Sequence, residues 1–297
     1  MKSIIYNLII LFTFGSLGFC LSACEKQTQT GTPTSKSKTK NKRVITFSPA
    51  LTQIVRKLGK EKLLVGVDQY SCQYLPDKLK SKLKSAGNMI DVNSEIFISL
   101  NPTHIIFQTL SPKRLEHVKT VVPNAKIDVI KINNLDDITN AVQKVGEILD
   151  AKPQADKIIA KFETNKKLLK GIAKKSPRVL FMNADYGYMC AGRGTFIGDL
   201  LDISGAKNAA AEIVGTKFWK NAEVETIIKA SPEIIIMSAM KKNVPKLRQF
   251  WSKQIEIPAV KNGRVYFVTD SRWNLPGAEY SDIIPELIKI LTDRKDQ

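Results

Sequence analysis

The sequence predicts an α/β protein of two Rossmann-like lobes joined by one long α-helix, with a ligand cleft between the lobes. Three observations carry this. First, SEIFISLNPTHII, beginning at Ser94, returns as VETIIKASPEIII, beginning at Val224. The glutamates Glu95 and Glu225 are 225 − 95 = 130 residues apart, and so are Pro102 and Pro232, 232 − 102 = 130. In each copy a short apolar-striped helix stops before a proline, which disfavours the α conformation in the residue preceding it, and a β-branched run follows. Second, strand-like and helical runs alternate in both halves, the pattern of a parallel sheet covered by helices. Third, residues 152–175 carry Ile158, Ile159, Phe162, Leu168, Leu169 and Ile172 on one stripe, with no glycine before Gly171. About 22 residues of helix span about 33 Å, enough for a stiff connection between the halves.

Taken in order, Met1-Lys2 is followed by an apolar run from Ile4 to Phe19 and then by Leu21-Ser22-Ala23-Cys24. This is similar to a bacterial lipobox, which implies that residues 1–23 are a lipoprotein signal peptide and that Cys24 carries the lipid. Residues 24–42 are polar and lysine-rich, too poor in apolar surface to offset ordering, and are expected to be a disordered tether. The N-terminal lobe spans residues 43–151. It holds strands at 43–47, 63–67, 105–107 and 127–130 and helices at 51–58 and 136–149, the first ending at Gly59. Its polar aromatic loop runs from Asp68 to Tyr74. The C-terminal lobe, residues 176–297, restarts with RVLFM at Arg178, an echo of RVITF at Arg43. A loop at 183–190, the Gly192-Arg193-Gly194 turn, a helix at 196–203 and strands at 234–237 and 263–268 follow. A loop at 270–280 precedes a closing helix at 281–291.

The chain has 297 residues, 43% hydrophobic and 25% charged, ordinary for a globular protein. Its formal charge of +18 would suggest nucleic acid in a cytosolic protein. An exported chain meets little of it, and the lysines are spread along the sequence, so nucleic-acid binding is set aside. Beyond Cys24 only Cys72 and Cys190 remain, too few for a disulfide framework. The glycines around Arg193 give G-x-G-x-x-x-G with Gly198, which is not the dinucleotide spacing, although Arg193 still offers a donor fork. The two histidines, His104 and His117, supply no metal site and adjoin no nucleophile loop. What remains is a set of aromatic and amide residues just after strands, where open α/β sheets present ligands: Tyr70, Gln108, Tyr186, Tyr188, Trp219 and Trp273. Their presence in both halves places the cleft between the lobes.

RVITFSPALTQIVRKLG, LLVGVDQYS, NSEIFISLNPTHIIFQ, FWKNAEVETIIKASPEIIIMS and FWSKQIEIPAVKNGRVYFV together resemble the periplasmic-binding-protein family that delivers cobalamin, haem and ferric siderophores to ABC importers. The resemblance covers residues 43–293. It implies a monomeric protein that binds rather than catalyses, with no cofactor of its own. It further implies an ABC permease dimer with its ATPase as partner, Glu95 and Glu225 docking on permease arginines, and attachment through Cys24 to the bacterial membrane, facing the periplasm or cell exterior. The closest likeness is to cobalamin-binding proteins: Tyr70 and Trp219 fall where their aromatic rings pack on the corrin. Gln108 and Gly87-Asn88-Met89 stand where those proteins carry tryptophans. Arg193 and Arg272 suit the anionic chelates of siderophore-binding members. An exported hydrolase on a similar two-lobe scaffold and a cell-surface structural lipoprotein are the alternatives.

Overall fold

Two sheets divide the chain in the computed structural model, which describes residues 42–88, 92–185, 187–214 and 218–293. All of these lie in one unit, Lys40–Gln297. The first sheet holds β1 (Val44–Phe47), β2 (Leu64–Val67), β3 (Lys84–Ser85), β4 (His104–Phe107) and β5 (Lys126–Val129) in the order β3-β2-β1-β4-β5, every pair parallel. The second holds β6 (Arg178–Asn183), β7 (Met189–Ala191), β8 (Lys207–Asn208), β9 (Trp219–Asn221), β10 (Ile234–Ser238) and β11 (Val265–Val268). Its order is β11-β10-β6-β7-β9, with β8 beside β6. The first sheet matches the parallel expectation. In the second, β7 runs antiparallel to both β6 and β9, because residues 184–188 are too few for a crossover and suffice for a hairpin.

The β-branched and aromatic runs of β1 and β10 are buried at every position, as expected of central strands covered on both faces. One apolar core runs through both lobes: Leu51, Ile54, Ile138 and Val142 of the first are continuous with Phe181, Ile197, Trp273 and Leu287 of the second. Each lobe adds an outer cluster of its own, around Phe47, Phe97 and Phe107 in one and around Met182, Met237 and Trp251 in the other.

The long helix is Lys152–Leu169, 18 residues, about 27 Å at the usual rise. It stops six residues short of the expected end (175 − 169). Lys170 leaves the helical region, and Gly171 and Ala173 donate their backbone N–H groups to Ile203 O (3.0 Å) and Ser204 O (2.8 Å). The chain there is tied to the end of helix Phe196–Ser204 instead of continuing its own spiral. Along its length the long helix packs on Leu135–Ile148 of the first lobe and on Tyr280–Ile283 and Ile284–Thr292 of the second. Asn165 Nδ2 donates to Ser281 O at 3.0 Å. The lobes are also bonded directly, by Leu135 N–H to Asp199 Oδ2 (3.0 Å) and by Lys57 to Glu279 (2.6 Å).

The repeated stretch forms helices Ser94–Leu100 and Val224–Ala230. Each is ended by a non-glycine residue in the left-handed region, Asn101 (φ 40°) and Ser231 (φ 45°), directly before the proline. That conformation costs an L-residue about 1–2 kcal/mol, so the two copies share a strained cap as well as a sequence. Among the described residues no helix is long and apolar enough to cross a membrane.

Candidate ligand-binding cleft

The C-terminal ends of β1 and β4 set the first wall of the cleft. Ser48 follows β1 and caps helix Pro49–Lys57, its Oγ accepting the N–H of Ala50 (3.1 Å) and Leu51 (3.5 Å). The same hydroxyl donates to Gln108 Oε1 at 2.5 Å. This turns the Gln108 amide so that Nε2 donates to Ile132 O at 3.3 Å. The second wall is apolar. Trp219 is held by Phe181 (ring centroids 6.0 Å apart) and Phe196 (5.5 Å), with Met189 and Phe218 beside it.

Between the walls lies a cavity of about 490 Å³ lined by Ser48, Tyr74, Gln108, Ile132 and Asn133 from one lobe and Met189, Phe196, Phe218, Trp219 and Pro276 from the other. Ser48, Gln108, Ile132 and Asn133 also border a second cavity of about 460 Å³, completed by Phe47, Asp68, Tyr70, Thr109 and Lys131. On the far side of Pro49, Tyr74 and Leu275 a third, of about 430 Å³, is polar, with Gln53, Arg56, Asp270, Arg272 and Glu279. The three share lining residues and adjoin as one trench; in its central part the second lobe contributes chiefly Met189, Phe196, Phe218 and Trp219 and the first lobe Ser48, Gln108 and Asn133, while at the third cavity the second lobe turns charged. Such a trench suits a large flat ligand with polar edges.

The sequence profile of the periplasmic binding proteins matches residues 44–271. The chain belongs to that family. An uncharacterised ABC transporter substrate-binding lipoprotein of Bacillus subtilis is 28% identical over 259 residues, 83% of this chain and 78% of the relative. A high-affinity haem uptake system protein of Staphylococcus aureus is 26% identical over 278 residues, 90% and 89% of the two chains. Among solved structures, the periplasmic vitamin B12 binding protein of Vibrio cholerae superposes with a TM-score of 0.71 at 18% identity, covering 86% of this chain and 98% of the other.

In this periplasmic binding protein the trench brings together four of the residues singled out by sequence. Trp219 and Gln108 line the central cavity, and Tyr70, 50% exposed, stands on the second. Arg272 reaches the polar cavity, but its guanidinium is already engaged by Asp270 (2.8 and 2.5 Å) and lies 3.7 Å from Asp282. Hydrogen bonding to Asp270 raises the Arg272 pKa and lowers that of Asp270, so the fork that was expected to meet a ligand instead closes a loop.

Trp273 is a correction. It is wholly buried, stacked on Phe181 at 5.8 Å, with its indole N–H on Glu286 Oε2 (2.9 Å); the loop of residues 270–280 points it into the core. Tyr188 packs between Phe250 (6.3 Å) and Trp251 (5.2 Å) in the outer cluster of the second lobe, outside the trench lining. Arg193 is exposed at the turn before helix Phe196–Ser204 and is not part of that lining. Tyr186, Cys24, the signal peptide of residues 1–23 and all of the tether except Lys42 lie outside the described residues.

Sequence reasoning passed over Tyr74, Met189 and Phe218 in the cleft. Two had a readable signal: Tyr74 closes the polar aromatic loop and Phe218 adjoins Trp219. Glu95 and Glu225 are both exposed, each in the first turn of its helix. Among the described residues no cluster of histidine, cysteine and carboxylate side chains is arranged to hold a metal. Cys72 and Cys190 are free thiols, and burial pushes that of Cys190 up to about 12.

Proposed function

We propose that this protein is the substrate-binding lipoprotein of an ABC importer for a large metal chelate, either a cobalamin-like corrinoid or an iron complex such as haem or a ferric siderophore. The observation that carries the reading is the asymmetric trench: an aromatic wall of Phe196, Phe218 and Trp219 facing Ser48, Gln108 and Asn133. A macrocycle stacks on the first and hydrogen-bonds through its edge groups to the second. Relatives named for haem uptake and vitamin B12 binding support the chelate class, and the B. subtilis relative named as a substrate-binding lipoprotein supports the anchor on Cys24.

In this reading the protein works as a monomer, held on the membrane through Cys24. It presents one carboxylate per lobe, Glu95 and Glu225, to cationic residues of the permease. Titration of the purified protein with haemin, cyanocobalamin and ferric siderophores, followed by visible spectrum and tryptophan fluorescence, tests the ligand class; no saturable binding of any of them overturns it. Replacing both glutamates by lysine is expected to abolish uptake in cells while leaving the in vitro titration unchanged. Normal uptake by that variant removes the docking assignment.

A further inference from the structure

The floor of the second cavity contains a carboxylate that the proposed function does not yet use. Asp68 follows β2 and is 2% exposed. Its Oδ1 accepts the backbone N–H groups of Tyr70 (2.9 Å) and Ser71 (3.1 Å), and its Oδ2 accepts the Ser71 hydroxyl. Behind Ser71 a line of buried hydroxyls continues: Ser71 Oγ to Thr52 Oγ1 at 2.9 Å, and Thr52 Oγ1 to Thr46 Oγ1 at 2.7 Å. Ser48 O lies 3.0 Å from Thr52 Oγ1.

A carboxylate taken from water is unfavourable unless its oxygens are paired, and among the described residues no cation forms a salt bridge with this one. Among the described residues its side-chain oxygens are paired by the Tyr70–Ser71 segment. The anion also orients the Ser71 hydroxyl. Once Ser71 donates to Asp68, its oxygen is left as an acceptor for Thr52, whose single hydrogen has Ser71 Oγ and Ser48 O as alternative acceptors. Tyr70 is what this arrangement holds. Its backbone is fixed by Asp68 on one side and by the Gln69 N–H bond to Gly87 O (2.8 Å) on the other, while its half-exposed ring stands on the cavity wall.

We infer that Asp68 is a positioning residue for ligand capture, holding Tyr70 in the orientation that meets the chelate so that the ordering of that wall precedes binding. The inference rests on the proposed ligand class for its functional consequence and on geometry alone for its structural one. Preordering a contact residue strengthens binding by removing the entropy of fixing it at the moment of capture.

The test is a double-mutant cycle with haemin and with cyanocobalamin as probes. Asp68→Ala is expected to weaken whichever probe the wild-type protein binds by roughly tenfold, the loss of charge-assisted hydrogen bonds. Asp68→Asn, which keeps an acceptor for the Tyr70 N–H, is expected to weaken it less. In a Tyr70→Ala background the Asp68→Ala change is expected to cost less than about twofold, because a residue acting through Tyr70 has nothing left to position. Equal losses in both backgrounds, or no loss in either, overturn the inference.

Hydrogen exchange of the ligand-free protein gives the second readout. The Tyr70 and Ser71 amides are expected to exchange at least about tenfold faster in Asp68→Ala while the β1 amides keep their protection; unchanged exchange at Tyr70 and Ser71 also overturns it. If Asp68→Ala does not fold, Asp68→Asn and Ser71→Ala carry both measurements. Failure of the wild-type protein to bind either probe counts against the haem and corrinoid readings and moves the cycle to a ferric siderophore, while the exchange measurement still decides whether Asp68 holds the segment.

Discussion

Gly277→Ala probes how tightly the lobes are locked. Gly277 lies in the loop that carries Leu275 and Pro276 into the cleft, and it faces helix Pro49–Lys57 of the other lobe. A Cβ at this position would stand 2.2 Å from Gln53 Oε1 and 3.0 Å from Gln53 Cδ, with Ala50 O behind it at 3.3 Å. Ordinary contact begins near 3.4 Å, so the Gln53 amide must withdraw by about 1.2 Å. Gln53 is only 7% exposed and its Oε1 accepts the Glu279 N–H at 3.3 Å. Withdrawal breaks that bond and leaves a buried amide short of a partner, a cost of about 1–3 kcal/mol. In a chain of this size that lowers the melting temperature by about 2–10 °C. Thermal unfolding followed by circular dichroism measures it. Gln53→Ala removes the obstacle, so the double variant is expected to melt no lower than Gln53→Ala alone. A Gly277→Ala protein melting within 1 °C of wild type, or strict additivity of the two changes, would refute the reasoning.

Trp219→Ala is expected to weaken chelate binding by tenfold or more, whereas Trp273→Phe, which loses the hydrogen bond to Glu286 and part of a wholly buried ring, is expected to lower stability by about 1–3 kcal/mol and leave affinity within twofold; titration and urea unfolding separate the two. Gly198→Ala places a Cβ 2.4 Å from the Gly192 carbonyl oxygen, a backbone atom that cannot rotate away, and is expected to reduce soluble, cooperatively melting protein more severely than Gly277→Ala. For Asp199, burial pushes the carboxyl above its ordinary 3.8, the Leu135 N–H opposes this, and Asp202, Asp136 and Asp137 add to it. The folded chain therefore holds this proton more tightly than the unfolded one. The stabilisation is full below pH 3.8 and is lost as pH rises through the folded value. Asp199→Asn is expected to flatten that loss in urea midpoints measured from acid to neutral pH; parallel profiles for the two proteins would count against the assignment.

Much of the architecture was legible because it rests on local chemistry. The β-branched runs gave β1, β4, β6 and β10 to within a residue or two, and the paired prolines marked where both repeat helices end. The left-handed caps at Asn101 and Ser231 were not legible, since neither residue is a glycine and only the tight turn into the next strand demands that conformation. The long helix was overextended because its apolar stripe continues through Ile172, while the hydrogen bonds that end it come from residues 203 and 204, distant in sequence. In the cleft, Gln108 and Tyr70 follow strands as loop residues, whereas Trp219 opens the short strand β9. Which way a loop side chain turns is decided by its neighbours in space. Trp273 turned inward onto Phe181 and Tyr188 turned outward onto Phe250 and Trp251, and nothing in their own stretches distinguishes them from Trp219.

The apolar core that crosses from one lobe to the other makes the halves interdependent. Although the repeat suggests two similar units, the first half cut loose would present Leu51, Ile54 and Val142 to water, and the second would present Phe181, Ile197 and Leu287. Neither fragment is then expected to persist as a monomer. The intact domain is expected to melt in one cooperative step, and a ligand seated between the lobes to raise that single transition for the whole molecule, logarithmically with its free concentration above Kd.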